Sequence, residues 1–182
     1  MKKSITITGS LGSGKSTVAK KISSDLNLTY YSTGSAQRQI AMQMGITTLQ
    51  LNHLADKDKS IDEKIDGVIK AMNKDGNTYI VDSRLAWHFM PDSFKVKLTV
   101  DKNAAAERIF NDNLRSGESK YKNVGEVIKA IEERRHSERE RFLRVYQVDI
   151  EDNSAFDLVI DTTNLSIDEV CEKIKTAYQK AL

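Results

Sequence analysis

The stretch GSLGSGKST, Gly9–Thr17, decides the fold because it matches the pattern G-x-x-x-x-G-K-[ST]. A short β-branched run, SITIT (4–8), precedes it, and an apolar helical stripe of Ala19, Ile22 and Leu26 follows it. A strand, a glycine-rich turn and a helix in this order direct backbone N–H groups and the positive helix end at a phosphate. The sequence therefore predicts a nucleotide-phosphate site. Its residues are Gly9, Ser10, Leu11, Gly12, Ser13, Gly14, Lys15, Ser16 and Thr17.

Polar side chains in and beyond this loop suit the phosphates of ATP and a Mg²⁺ ion. Lys15 can reach the β- and γ-phosphates as a catalytic cation, and the Ser16 hydroxyl can bind the metal. Asp82 ends the apolar strand TYIVD (78–82), where a carboxylate can hold the ion directly or through water. Alternatively, Asp82 caps the turn that follows. We predict ATP and Mg²⁺ as the cofactors, with Ser16 and Asp82 at the metal.

Strand-like and helix-like runs alternate along the 182 residues. The strand-like runs are SITIT (4–8), LTYYST (28–33), TYIVD (78–82), FKVKLTV (94–100) and FDLVIDT (156–162). This alternation is typical of a parallel sheet covered by helices on both faces. We predict a single α/β P-loop kinase domain over residues 1–182. It is a three-layer sandwich with a central parallel sheet of about five strands and a helical lid.

Two segments are predicted to handle the substrates. Residues 33–74 should form a helical region that binds the acceptor. The polar loop RSGESKYKN (115–123) lies between two predicted helices, and a lid over residues 112–124 is expected to close on the phosphates. Two SIDE segments, which begin at Ser60 and Ser166, are predicted capping boxes at helix starts.

Composition limits the partners and the compartment. The net charge of +2 is too small to indicate a nucleic-acid or membrane partner, and no apolar run has the roughly 18 residues of a membrane span. The single cysteine, Cys171, excludes an internal disulfide framework and is predicted to pack in the core. We expect a cytoplasmic monomer whose partners are small-molecule nucleotides.

The charge run ERRHSERERFLRVYQVD (133–149) falls in a long predicted helix. Arg134, Glu138 and Arg141 are spaced i, i+4 and i+7 and share one stripe of that helix, with Ser137 beside them. Two guanidinium groups that flank a carboxylate can hold a phosphate and read the edge of a base. A merely solvated helix face is the alternative.

Three further arginines could converge on the same phosphates. Arg38 lies one turn into the helix after YYSTG, and Arg84 lies just beyond Asp82. Arg108 precedes the polar loop, where closure could bring a cation over the phosphates.

Five segments together resemble the cytidylate kinase family, in its short archaeal-like type. They are SITITGSLGSGKSTVAKKIS (4–23), YYSTGSAQR (30–38), IVDSRLAWHFMPDSFKVKLTVDKNAAAERI (80–109), RRHSERERFLRVYQVDI (134–150) and FDLVIDTTNLSIDEV (156–170). They occur in the family's order and span most of the chain. The chain departs from the family's usual pattern at Ser32, Ser83 and Trp87, which stand where Asp, Gly and a small residue are usual.

The resemblance implies transfer of the ATP γ-phosphate to CMP or dCMP, which would form CDP or dCDP. It implies catalytic roles for Lys15, Arg108, Arg134 and Arg141. The substrate-binding residues would be Thr33, Arg38, Arg84, Ser137, Glu138 and Arg141, with Glu138 reading the cytosine.

Other functions remain open at this point. One is a P-loop kinase for another acceptor, such as UMP or a non-nucleotide of the shikimate type. That type favours a D-x-D motif directly after the second strand and a G-G-G motif after the strand of Asp82, and the sequence has neither at those places. A non-catalytic ATP-binding module is less favoured, because binding ATP alone does not need so many cations. A GTP switch would need an N-K-x-D motif, and the chain has none.

Overall fold

The computed structural model describes residues 3–112 and 121–182 of the chain. Within these ranges five parallel strands form one sheet in the order β2-β3-β1-β4-β5. They are β1 (Ile5–Gly9), β2 (Thr29–Ser32), β3 (Tyr79–Asp82), β4 (Phe94–Thr99) and β5 (Leu158–Asp161). The predicted strands and their parallel arrangement are confirmed.

The described helices lie between and after these strands. They are α1 (Lys15–Leu26), α2 (Thr33–Gln43), α3 (Thr48–Ala55), α4 (Lys59–Met72), α5 (Ala86–Phe89), α6 (Lys102–Asn111), α7 (Val124–Tyr146) and α8 (Ile167–Lys180). None of these helices is both long enough and apolar enough to cross a membrane. The predicted lid, residues 112–124, includes residues 113–120, which lie outside the described part of the chain.

Side-chain caps explain where several helices begin. The SIDE segment at Ser166 forms the predicted capping box with Glu169 at the start of α8. The prediction at Ser60 was wrong: the cap is Asp58, and α4 begins at Lys59, two residues earlier than a cap at Ser60 would place it. The carboxylate of Asp58 accepts the N–H of Ser60 at 2.9 Å. An aspartate two residues upstream thus supplies the oxygen that the first helical N–H groups need.

Helices cover both faces of the sheet, as predicted. Alternate residues of the strands, such as Ile7 and Val96, pack against α1 and α8 in one cluster that includes the buried thiol of Cys171. The residues between them point the other way. On that face Val81 packs against α4 and α5, while the end of α7 packs over Leu85.

Two glycines let the loop after β1 approach its neighbours closely. Gly9 has a φ of 140°, and a Cβ there would clash with the backbone of Leu98 in β4. Gly12 has a φ of 75°, and a Cβ there would lie 2.7 Å from the carbonyl oxygen of Ala105 in α6. The glycine spacing of the motif therefore reflects contact with β4 and α6 as well as the turn itself.

Candidate active site

The Lys15 ammonium folds back onto the loop between β1 and α1. Its Nζ donates a hydrogen bond to the carbonyl oxygen of Ser10 at 2.7 Å. Burial, followed by the nearby charge of Arg84, lowers the pKa of Lys15 to about 7 against the opposing effect of Asp82. A group whose charge is unfavourable in this setting gains strongly from an anion placed beside it. An anion placed beside Lys15 would therefore be strongly stabilised.

Asp82 joins the strand edge to the start of α1. Its carboxylate accepts the Ser16 hydroxyl at 2.5 Å and the Ser32 hydroxyl at 3.3 Å. Ser32 and Asp82 are register partners at the ends of β2 and β3. A hydroxyl and a carboxylate are the hard oxygen donors that Mg²⁺ takes together with phosphate and water. The predicted pair of metal ligands therefore lies together and suits that ion.

Glu138 links two of the predicted arginines. Its two carboxylate oxygens accept the Nε–H groups of Arg84 and Arg134, each at 2.8 Å, and its side chain is only 3% exposed. Arg84 also donates to the carbonyl oxygen of Gly9. Burial alone would raise the pKa of Glu138, but the charges of Arg84 and Arg134 outweigh it and lower this pKa to about 2. The carboxylate is therefore ionised and fixes both guanidinium groups beside the loop.

Arg141 and Ser137 face α3 in this structure. The Arg141 guanidinium, 2% exposed, donates to the carbonyl and side-chain oxygens of Asn52 at 2.8 and 2.9 Å, and to Asp56 at 2.9 Å. Ser137 donates to the other oxygen of Asp56 at 2.8 Å and accepts from the Asn52 amide at 2.9 Å. These four side chains, Asn52, Asp56, Ser137 and Arg141, form a closed network that we call the α3–α7 network.

Asp62 of α4 borders the α3–α7 network. Its carboxylate lies 3.1 Å from Nε of Arg141, although that N–H is not aligned for a hydrogen bond. Burial raises the pKa of Asp62 to about 6, and the nearby Arg141 charge only partly offsets this effect. The region predicted over 33–74 to bind the acceptor is thus attached to α7 through Arg141 and Ser137. The Tyr146 hydroxyl adds a third attachment, because it donates to Asp66 at 2.5 Å.

The remaining predicted residues lie at the margins of the site. The Thr33 hydroxyl donates to the carbonyl oxygen of Asp82 at 3.4 Å, and Arg38 donates to the Ser35 hydroxyl at 3.0 Å. Arg108 reaches the loop from α6 and donates to the carbonyl oxygen of Gly12 at 3.3 Å.

Trp87 packs against Phe156 and donates to the carbonyl of Arg84 at 2.9 Å. Its role here is to support the backbone that carries Arg84.

A cavity of about 640 Å³ opens beside Arg84 and Glu138. It lies between the polar face of β4 and one side of α7, and Lys97 and Thr99 are among its lining residues. The Lys97 ammonium donates to the carbonyl oxygens of Ile150 and Glu151 at 2.9 and 3.1 Å, which holds the turn after α7 at the cavity wall. Sequence reasoning missed this feature, for which the polar alternation of FKVKLT was the available signal.

Comparison with known proteins places this chain in a family. Residues 4–164 match the profile of the Cytidylate kinase-like family. The chain belongs to this family. Its sequence is 38% identical to the cytidylate kinase of Sulfurisphaera tokodaii over 175 residues, which covers 96% of this chain and 93% of that one. It is also 38% identical to the cytidylate kinase of Sulfolobus acidocaldarius over 173 residues, 93% of this chain and 91% of that one.

One relative of this cytidylate kinase-like chain is much longer. The S-adenosylmethionine-dependent nucleotide dehydratase of Lacinutrix mariniflava is 36% identical over 182 residues, which is 100% of this chain. The chain spans only 37% of the length of that dehydratase.

Solved structures agree on the fold of the cytidylate kinase-like chain. An uncharacterized protein from Eubacterium ventriosum has a TM-score of 0.71 at 17% identity and covers 96% of this chain and 97% of that one. The shikimate kinase of Bacteroides thetaiotaomicron has a TM-score of 0.65 at 15% identity and covers 97% and 98%. These likenesses show the P-loop kinase fold, and the family makes the protein a phosphotransferase of the nucleoside monophosphate kinase type.

Proposed function

We propose that this protein transfers the γ-phosphate of ATP to CMP or dCMP. The observation that carries the proposal is the cation arrangement beside the loop: Glu138 fixes Arg84 and Arg134, and Lys15 lies close enough for both charges to lower its pKa. The names of the archaeal relatives, each a cytidylate kinase, support the choice of acceptor.

The reaction needs no side-chain nucleophile. An oxygen of the acceptor phosphate attacks the γ-phosphorus, the bond to the bridging oxygen breaks, and ADP leaves with the electron pair. Lys15, Arg84 and Arg134 would balance the charge spread over the transferring group, and position it for in-line attack. When bound, Mg²⁺ would neutralise β- and γ-phosphate oxygens, and Ser16 with Asp82 would hold it.

For the acceptor we propose the region 33–74 together with α7. Arg38 and Thr33 would bind near the acceptor phosphate, and Arg141 and Ser137 near its base. Each Glu138 oxygen that accepts an arginine has a second lone pair, which suits the amino group of cytosine. Lid closure over 112–124, with Arg108 approaching the phosphates, completes this proposal.

The dehydratase relative favours a second candidate acceptor. That protein contains a region similar to this whole chain, and its name denotes removal of water from a nucleotide. We propose, as the alternative, that the same site phosphorylates a cytidine monophosphate whose ribose has lost water. The phosphate and base contacts would be unchanged, because only the sugar differs.

Assays of ADP release with Mg-ATP test these proposals directly. The acceptors are CMP, dCMP, UMP, AMP, GMP, shikimate and CMP dehydrated in the ribose. Turnover confined to CMP and dCMP supports the first candidate, and a clear preference for the dehydrated nucleotide supports the second. Turnover with shikimate alone, or a lack of turnover with every acceptor, contradicts both candidates.

We further propose that the enzyme acts as a cytoplasmic monomer on small nucleotides, without a nucleic-acid or membrane partner. The low net charge of +2 and the single, buried cysteine support this. Light scattering at working concentration tests the monomer, and a mass of twice 20.5 kDa would contradict it.

A further inference from the structure

Thr162, just beyond β5, forms a hydrogen bond to the phosphate loop, although the two lie 149 positions apart in the sequence. Its side chain is buried, with 2% of the residue exposed. The hydroxyl oxygen lies 3.2 Å from the carbonyl oxygen of Ser13 and 3.0 Å from that of Thr99, so these two acceptors share its proton. One hydroxyl thus joins the loop to the end of β4.

Arg108 completes this connection from α6. One of its terminal nitrogens lies 3.3 Å from the Thr162 hydroxyl and 3.3 Å from the carbonyl oxygen of Gly12. The other donates to the backbone carbonyls of Thr162 and Thr163 at 2.8 and 2.9 Å. Arg108 and Thr162 therefore hold two successive carbonyl groups of the loop, those of Gly12 and Ser13.

Fixing a carbonyl also fixes the N–H group of the same peptide. The described peptide bonds are all trans, so the C=O and the N–H of one peptide point in opposite directions. The Gly12 carbonyl shares its peptide with the N–H of Ser13, and the Ser13 carbonyl shares its peptide with the N–H of Gly14. The Ser13 N–H donates to the carbonyl oxygen of Ser10 at 3.4 Å. Holding the Ser13 carbonyl turns the Gly14 N–H to the opposite side, and loop N–H groups are what cradle phosphates in this motif.

We propose that Thr162 is a positioning residue for ATP, which aims the N–H group of Gly14 at the phosphates through its hydrogen bond to the Ser13 carbonyl. The inference rests on the proposed use of ATP and adds a residue that the motif does not contain. In this proposal Thr162 acts through the loop and not on the phosphoryl acceptor. Removal of its hydroxyl should therefore weaken ATP binding and leave binding of the acceptor unchanged.

Thr162→Val keeps the size and β-branching of the side chain but removes the hydroxyl. We expect the Kd for ATP, from titration calorimetry, and the KM for ATP to rise about tenfold, as for a lost hydrogen bond to a critical group. The KM for the acceptor should stay within about twofold of wild type. Thr162→Ser should restore ATP binding, because it restores the hydroxyl.

Thr6→Val is the matched control. Thr6 is a buried threonine of β1, and its hydroxyl pairs with the Ser93 hydroxyl at 3.0 Å rather than with the loop. Its ATP constants should remain at the wild-type values. Wild-type ATP binding by Thr162→Val, or equal losses in both variants, would overturn the proposal.

The calorimetric measurement separates this inference from the proposed function. If wild type binds ATP but phosphorylates none of the acceptors, the proposed acceptor is wrong, and the Thr162 variants still decide the positioning role. If wild type does not bind ATP at all, both proposals are wrong.

Discussion

The carboxylate of Glu138 holds the Nε–H of Arg84 at 2.8 Å, and this contact ties α7 to the loop after β3. The same carboxylate holds Arg134 from its other oxygen. A single acidic side chain therefore sets the direction of two guanidinium groups that the proposed reaction needs.

Glu138→Gln should disable the enzyme without removing either arginine. The amide offers only one acceptor oxygen, so one guanidinium loses its partner and shifts, and a small displacement of a catalytic cation costs about 100-fold in kcat. Loss of the charge should also lower the free energy of unfolding by about 3–5 kcal/mol, because buried arginines are left uncompensated. Steady-state kinetics and urea unfolding measure both effects. Glu140→Gln, at an exposed position of the same helix, is the control and should behave as wild type. Equal losses in the two variants would contradict the proposed role of Glu138 in holding the two arginines.

Lys15 should take up a proton when ATP binds. Its pKa of about 7 in the free protein leaves it mostly neutral at about pH 8, and the phosphates beside it should restore its charge. Calorimetry at that pH, in two buffers with different ionisation enthalpies, should report close to one proton taken up per ATP. The uptake should shrink at about pH 6, where Lys15 is already charged. Lys20→Met is the control and should preserve the uptake, whereas equal heats in both buffers at the higher pH would refute it.

Asp62 should make stability fall as pH rises. Burial lifts its pKa from 3.8 to about 6, so between these values the folded protein binds more protons than the unfolded chain. A group of this kind stabilises the fold below its ordinary pKa, and that contribution is lost as pH rises through the folded value. Asp62→Asn should therefore gain stability relative to wild type across this window, measured by urea unfolding at several pH values. Glu63→Gln, on the neighbouring exposed face of α4, should show a constant difference.

Asn52→Ala should weaken binding of the phosphoryl acceptor more than binding of ATP. It removes the side-chain oxygen that accepts from Arg141 and the amide that donates to Ser137. The α3–α7 network then opens, and Arg141 and Ser137, which we propose lie near the base, lose their alignment. We expect a loss of about 1–3 kcal/mol in unfolding free energy, because buried polar groups lose partners. The KM for the acceptor should rise several-fold while the KM for ATP changes little. Leu54→Ala, at an exposed position of the same helix, serves as the comparison, and parallel changes in both KM values would contradict the idea.

The fold and the phosphate loop were predictable because their causes are local. The motif of residues 9–17 predicts the turn by itself, and apolar residues repeating every 2 or every 3.6 positions indicate the strands and α7. The spacing of Arg134 and Glu138 likewise predicted their contact on one helix stripe.

What could not be predicted was which distant side chain each arginine meets. The helix pattern showed that Arg141 and Glu138 share a face, but the partners of Arg141, Asn52 and Asp56, come from a helix whose packing depends on the whole fold. Arg108 was expected to face the phosphates, but here it donates to the carbonyl oxygens of Gly12 and Thr162. These two residues lie beside α6 because of the strand order of the sheet, which local sequence does not show. Side-chain direction across elements is a tertiary property, and local spacing does not contain it.

The packing of α8 has a consequence for how the protein is made. Val170, Cys171 and Ile174 lie in the same cluster as β1 and α1, and the Tyr178 hydroxyl donates to the carbonyl of Lys3 at 2.5 Å. During synthesis, β1 and α1 leave the ribosome long before α8 does, so the part of this cluster that α8 covers stays exposed while most of the chain is extruded. β1 therefore completes its packing only after α8 has formed.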